Sequence, residues 1–144
     1  MAIKKFDVED ILDAHKIRKT VPRLRVLSII ANNNMAVAGK VLMRKTKDMN
    51  RSTRYKALVT LEAKGIIYKI YDLKGTVHYA VRPPDGGITK PAVYAHFNCT
   101  RCKKIFPLND VACHLPPLPE GFIADGFTLG VKGICPSCDK SLLV

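Results

Sequence analysis

Four of the five cysteines fall into two Cys-x-x-Cys units, Cys99-Thr100-Arg101-Cys102 and Cys135-Pro136-Ser137-Cys138, separated by 32 residues. A Cys-x-x-Cys turn aims two thiolates at one centre, and two such turns complete a tetrahedral all-sulfur site with no open position. Zn²⁺ satisfies that geometry, so the spacing predicts one structural zinc per chain, whose binding energy is folding energy. Iron on the same four thiolates, a redox dithiol and free cysteines are the alternatives. A thioredoxin-like Cys-x-x-Cys occurs once, ahead of a helix in a βαβ setting, and neither unit has that setting.

Little else in the chain suggests catalysis. It has no P-loop, no Gly-x-Ser-x-Gly and no His-Glu-x-x-His. Cys113 adjoins His114, but neighbours on an extended chain point to opposite faces and make a poor nucleophile–base pair. The chain reads as a binding protein rather than an enzyme.

The charge points to what it binds. Of a net +12 over 144 residues, nearly all lies in residues 1–90, which hold 19 Lys/Arg against 8 Asp/Glu; residues 91–144 hold 5 against 4. A basic half joined to a neutral half suggests a polyanion-binding module attached to something else. No segment joins a basic face to a Trp/Phe-rich apolar one, which favours nucleic acid over a membrane surface. No run of 18 apolar residues is present and Met1–Asp7 does not read as a signal peptide, so a soluble cytoplasmic protein is expected.

The elements that must position these residues fall into two blocks. Three prolines and two glycines in Arg82–Pro91 break any helix or central strand, so residues 83–91 are read as a hinge between domains at 1–82 and 92–144. Before it, Val8, Ile11, Leu12 and His15 have helical spacing. Leu24, Leu27, Ile30 and Ala31 form one face of a second helix, with Pro22 in its first turn and Asn32-Asn33-Asn34 as its stop. Val37, Val41 and Leu42 predict a short third helix. Asn50 caps a fourth, with Leu58 and Leu61 inward and Gly65 as its stop. Strands at Ile66–Tyr71 and Val77–Val81 follow, turning at Lys74-Gly75. This order predicts an α+β protein whose N-terminal domain is a winged helix-turn-helix. A small β-rich domain follows, with strands at Tyr94–Cys99, Lys103–Leu108 and Phe127–Ile134, and Leu115-Pro116-Pro117-Leu118-Pro119 breaking any long helix.

Over roughly Ala14–Cys138 the sequence resembles the ferric uptake regulator (Fur) family of bacterial metalloregulators. Lys16-Ile17-Arg18-Lys19-Thr20-Val21-Pro22-Arg23 resembles its Gly-Leu-basic-x-Thr-x-Pro-Arg stretch. Ser52-Thr53-Arg54-Tyr55-Lys56-Ala57-Leu58, with Lys64-Gly65-Ile66-Ile67 after it, resembles the recognition helix and its exit. His96-Phe97-Asn98-Cys99-Thr100-Arg101-Cys102-Lys103-Lys104-Ile105 resembles His-x-x-Cys-x-x-Cys-Gly-Lys, and the second Cys-x-x-Cys follows in order.

The resemblance implies a homodimer held by the C-terminal domain, zinc on the four cysteines, and repression of genes at an A·T-rich palindrome in double-stranded DNA. It puts Tyr55 and Lys56 on base edges, and Arg18 and Lys19 at a narrow minor groove. Arg23, Arg51 and Lys69 become phosphate candidates; Ser52, Thr53 and Arg54 complete the set. Arg54 stands where the family usually has an aliphatic residue, so its stem is expected to be buried and its guanidinium to point outward.

The family's regulatory metal ligands are largely replaced. Val37 (or Asn34), Ala80, Tyr94, Pro107 and Phe127 occupy ligand positions, and only His96 survives from the usual His-x-His. A rebuilt regulatory site would draw on His96, His78, His114 and Cys113. The alternative to a DNA-binding regulator is a zinc-ribbon adaptor for protein or RNA, with the basic domain supplying nonspecific affinity.

Overall fold

The computed structural model describes residues 8–31, 35–82, 92–108 and 114–139. The chain divides into two compact units, Met1–Pro84 and Asp85–Val144. The stretch read as a hinge, 83–91, lies outside the described residues, as do Asn32-Asn33-Asn34 and Cys113.

The first unit runs α1 (Val8–Ala14), α2 (Val21–Ala31), β1 (Val37–Ala38), α3 (Gly39–Lys45), α4 (Arg51–Ala63), β2 (Ile67–Tyr71) and β3 (Val77–Val81). The strands form an antiparallel sheet in the order β1-β3-β2, so the unit is a winged helix-turn-helix. One core holds it together: Leu12 from α1, Val26, Leu27 and Ile30 from α2, Leu42 from α3, Ala57 and Leu61 from α4, and Ile66 and Ile67 at the start of the wing. The inward faces differ in detail from the expected ones. Val26 is buried while Leu24 is only partly so, and on α4 Ala57 is buried ahead of Leu58.

The third helix starts later than its apolar spacing suggests. Val37 and Ala38 are extended and pair with Tyr79 and His78. A β-branched residue favours this half-buried strand position. The helix begins at Gly39, where an added Cβ would lie 3.2 Å from Val77 Cγ1. Sequence reading missed this third strand because two residues are too few to show a period.

Two helices end in the same device. After α4, the Gly65 N–H donates to Glu62 O (2.9 Å) and the Ile66 N–H to Leu61 O (3.0 Å), with Gly65 at φ 72°. After α1, the Lys16 N–H donates to Asp13 O (3.0 Å) and the Ile17 N–H to Leu12 O (2.9 Å), with Lys16 at φ 56°. Both are Schellman turns, and both bury the apolar pair that spans the turn, Leu61 with Ile66 and Leu12 with Ile17. Only glycine enters the left-handed region without steric cost. Lys16 therefore carries strain that Gly65 avoids.

At the wing tip the Asp72 carboxylate accepts the N–H groups of Lys74 (2.9 Å) and Thr76 (2.8 Å), and His78 Nε2 lies 3.1 Å away. These bonds, that of Thr76 first, hold the Asp72 carboxyl below the usual carboxylate range. Because the folded value is depressed, this support is present above the unfolded carboxylate pKa and disappears as pH falls through the folded one.

The second unit has β4 (Ala92–Cys99), β5 (Ile105–Pro107) and β6 (Gly126–Gly133), in the order β5-β4-β6. β5 is antiparallel to β4, whereas β6 is parallel to it, from Ala92 opposite Gly126 to Cys99 opposite Gly133. All three strands lie within two residues of the expected positions. Leu115–Pro119 is exposed and forms neither helix nor strand. No helix among the described residues is long and apolar enough to cross a membrane.

The two helix ends yield a paired test. Lys16→Gly should stabilise the chain by about 0.5–1 kcal/mol, because relief of the left-handed strain exceeds the added entropy of the unfolded chain. Gly65→Ala should destabilise it by about 1–2 kcal/mol, since a Cβ there meets only Arg82 Nη1, at 3.5 Å, and the cost lies in the backbone. Thermal unfolding of both variants checks this; shifts of the same sign would refute it.

Candidate metal centre and nucleic-acid face

The parallel pairing of β4 and β6 assembles the four cysteines. Parallel strands end at the same edge, so Cys99, which closes β4, arrives beside Gly133, which closes β6, and Cys135 follows two residues later. The Thr100 N–H and Oγ1 both donate to Gly133 O, at 2.8 and 3.1 Å. Gly133 leaves room for a neighbouring ring: a Cβ there would lie 3.0 Å from Phe97 Cζ, so the ring would have to give way. On the far side of the site, Arg101 Nη1 donates to Cys138 O at 2.9 Å and ties the first turn to the second.

The four sulfurs all lie within 4.8 Å of one another, with Cys99 and Cys135 buried and Cys102 and Cys138 half-buried. Cys102 Sγ and Cys135 Sγ are 3.8 Å apart. A tetrahedral ion bound at Zn–S distances of about 2.3 Å separates its sulfurs by about 3.8 Å, so the arrangement fits such an ion. The backbone supports negative charge here. Cys99 Sγ accepts the N–H groups of Cys102 (3.5 Å) and Cys135 (3.4 Å), and these bonds lower its pKa to about 5. Burial and the crowd of neighbouring thiols push Cys138 up to about 12. Four thiols this close resist joint ionisation unless a cation neutralises them. The four cysteines could therefore hold a metal ion of the closed, structural kind.

Lys103, directly after the first turn, has φ 66° and donates its N–H to Cys99 O at 3.0 Å. It is a second lysine in a conformation that favours glycine. At both Lys16 and Lys103 the resembling family has glycine.

The candidates for a second metal are divided between the two units, and Cys113 lies outside the described residues. His78 lies in the wing of the first unit beside Asp72, with a buried Nδ1 that has no partner. His96 is buried on β4 of the second unit, its Nδ1 also without a partner, and desolvation lowers its pKa. His114 is exposed. Among the described residues, the only convergent group of three or more potential ligands is the cysteine quartet. Val37, Ala80 and Ala95, at or beside ligand positions of the resembling family, are buried apolar residues.

The proposed DNA contacts divide into two groups. On α4, Arg51, Ser52, Tyr55, Lys56 and Val59 share an exposed face, and the Tyr55 ring is 68% exposed. Asn50 opens this helix, its Oδ1 accepting the Ser52 N–H at 3.0 Å. Thr53 and Arg54 are half-buried on the other side. Arg54 does not simply point outward as the sequence suggests: its Nη1 donates to Thr46 O and Thr46 Oγ1, both at 3.2 Å. Arg18 and Lys19 are exposed, and Lys19 Nζ lies 3.3 Å from Asp13. Arg23 Nη1 donates to Arg18 O at 2.9 Å, so it braces the segment carrying Arg18. Lys69 Nζ is 3.4 Å from Glu62 on α4. One interaction without an obvious sequence signal is the bidentate pair of Arg25 with Asp48, at 2.8 and 2.9 Å, which joins α2 to the helix-turn-helix turn.

No protein-family model matches this chain, and no curated protein does. Solved structures do match. The holo form of XcZur is 23% identical with a TM-score of 0.66, covering 91% of this chain and 93% of its own. A zinc uptake regulator complexed with zinc and DNA is 18% identical with a TM-score of 0.63, covering 95% and 93%. The Vibrio cholerae ferric uptake regulator is 16% identical with a TM-score of 0.57, covering 90% and 100%. With its winged helix and its cysteine-bearing β unit, the chain has the fold of the ferric and zinc uptake regulators, the Fur-type fold.

Proposed function

We propose that this chain is a DNA-binding transcriptional repressor of the Fur type, acting as a homodimer on an A·T-rich palindrome, with one structural Zn²⁺ per chain on Cys99, Cys102, Cys135 and Cys138. The observation that carries the reading is the solvent face of α4. A tyrosine ring left largely in water, between Arg51 and Lys56 on the second helix of a helix-turn-helix, has the placement of a base-reading group. No ion pair engages Arg51 or Lys56 among the described residues. Both cations are therefore available to phosphate. The similar zinc uptake regulator bound to zinc and DNA supports the same reading.

Dimerisation belongs to the second unit. β6 is an edge strand, and Leu129 and Val131 on it are exposed, which suits pairing with a second copy. Regulation departs from the family pattern. A regulatory metal shifts an equilibrium only if it binds one conformation more tightly than another. Here apolar residues fill family ligand positions and His78 is held by Asp72. We propose that the zinc-loaded protein binds DNA without added iron or manganese.

Three measurements test this. Cys99→Ser or Cys135→Ser should release about one metal ion per chain and melt or monomerise the C-terminal unit; full metal content with a sharp transition would rule out the site. A duplex selected from a random library by the purified protein should be bound as a palindrome by two chains, with affinity falling steeply in salt. Tyr55→Ala should lose sequence preference, whereas Arg51→Ala should weaken all duplexes alike and flatten the salt slope by about one unit. Selection of no sequence, with RNA or protein retained instead, would favour an adaptor. Finally, titration with Fe²⁺, Mn²⁺ or Zn²⁺ at fixed ionic strength should change affinity by less than about tenfold, roughly 1.4 kcal/mol. A hundredfold gain abolished by His96→Ala would show a rebuilt sensor.

A further inference from the structure

We propose that Arg54 is a positioning residue for sequence recognition, latching the recognition helix to the turn before it rather than touching DNA; this rests on the DNA-binding reading above. Within the stretch Arg51–Lys56 its environment is distinctive. Arg51, Ser52, Tyr55 and Lys56 are exposed, whereas Arg54 is half-buried and its Nη1 donates to both the carbonyl and the hydroxyl of Thr46, each at 3.2 Å. Thr46 is wholly buried. It sits at the C-terminal end of α3, its N–H and Oγ1 both donating to Leu42 O at 3.1 and 2.8 Å, and its carbonyl also accepts the Met49 N–H at 2.9 Å. A continuous chain of bonds therefore runs from α3 through Thr46 to the guanidinium and so to α4.

This chain of bonds fixes what the helix core leaves loose. Ala57 and Leu61 bury one face of α4, but apolar contacts are non-directional and permit small rotations and slides. A donor shared between two oxygens of one buried residue restricts both. Arginine near a helix C-terminus commonly satisfies the last carbonyls in this way. Arg54 and Tyr55 are adjacent, so a helix that rotates about its axis carries the Tyr55 ring off its base. The latch therefore acts on discrimination between sequences more than on attraction to phosphate.

Thr46 makes the idea testable, because a residue with no exposure cannot touch DNA. A duplex selected by the wild-type protein and a scrambled duplex are titrated over a range of salt with Arg54→Ala, Arg54→Lys, Thr46→Val, Thr46→Ser and the double variant Thr46→Val/Arg54→Ala, alongside thermal unfolding. Arg54→Ala should lower the selected-to-scrambled affinity ratio by about tenfold, and Thr46→Val, which removes the hydroxyl but leaves the carbonyl, by a smaller factor, with the salt slope unchanged and the double no worse than Arg54→Ala alone. Thr46→Ser, which keeps the hydroxyl, should restore the ratio. Arg54→Lys keeps the charge but not the planar fork, so it should lose the ratio too; this variant carries the test should Arg54→Ala fold poorly. The latch is overturned if Arg54→Ala flattens the salt slope while the ratio holds, if Arg54→Lys binds like wild type, or if the two losses add. If the wild-type protein selects no sequence, the DNA reading itself falls, which is a different result from a selected duplex that the variants read with undiminished preference.

Discussion

The C-terminal unit depends on one strand pairing. β4 and β6 run parallel, and that direction brings two cysteine turns far apart in sequence to the same end of one sheet. An antiparallel β6 would have carried Cys135 to the opposite end from Cys99. Around this pairing the other details follow: Gly133 lets β6 pass the Phe97 ring, Thr100 pins the strand ends together, and Arg101 reaches across to the second turn. A three-stranded sheet with one mostly exposed strand has little apolar area to bury, so a metal ion held at the crowded sulfurs would supply cohesion that packing cannot.

In the N-terminal unit directed polar contacts do comparable work on a finer scale. The apolar core sets which helices meet. The turn between α3 and α4 is then tied from both sides, by Arg25 to Asp48 and by Arg54 to Thr46. The first pair is exposed to water and contributes little to stability. The second reaches a buried residue. The placement of the exposed α4 face therefore rests on a few directed bonds as well as on apolar contact.

Much of this was legible in the sequence. The paired Cys-x-x-Cys units announced the sulfur cluster, because metal geometry is encoded in short spacings. The α4 cap at Asn50 and the wing turn at Gly75 were readable for the same local reason. What escaped was non-local. The parallel direction of β6, the two-residue β1 and the partners of Arg25, Arg23 and Arg54 each depend on residues distant in sequence or on a neighbouring turn. The resemblance counts Arg23 and Arg54 among the DNA contacts, and the structure gives both of them intramolecular partners.

The edge of β6 has a cost during synthesis. Eight residues long, it carries Phe127, Leu129 and Val131 in alternation, with Lys132 as its only charge and no proline. Edges that stay single are usually blunted by charge, proline or a bulge, and among the described residues this one has a single lysine for that purpose. Until that edge is covered, nascent chains are open to indiscriminate strand addition and aggregation. The productive fate of a new chain then becomes a race whose outcome depends on how quickly the cysteine quartet closes and fixes β6 in register.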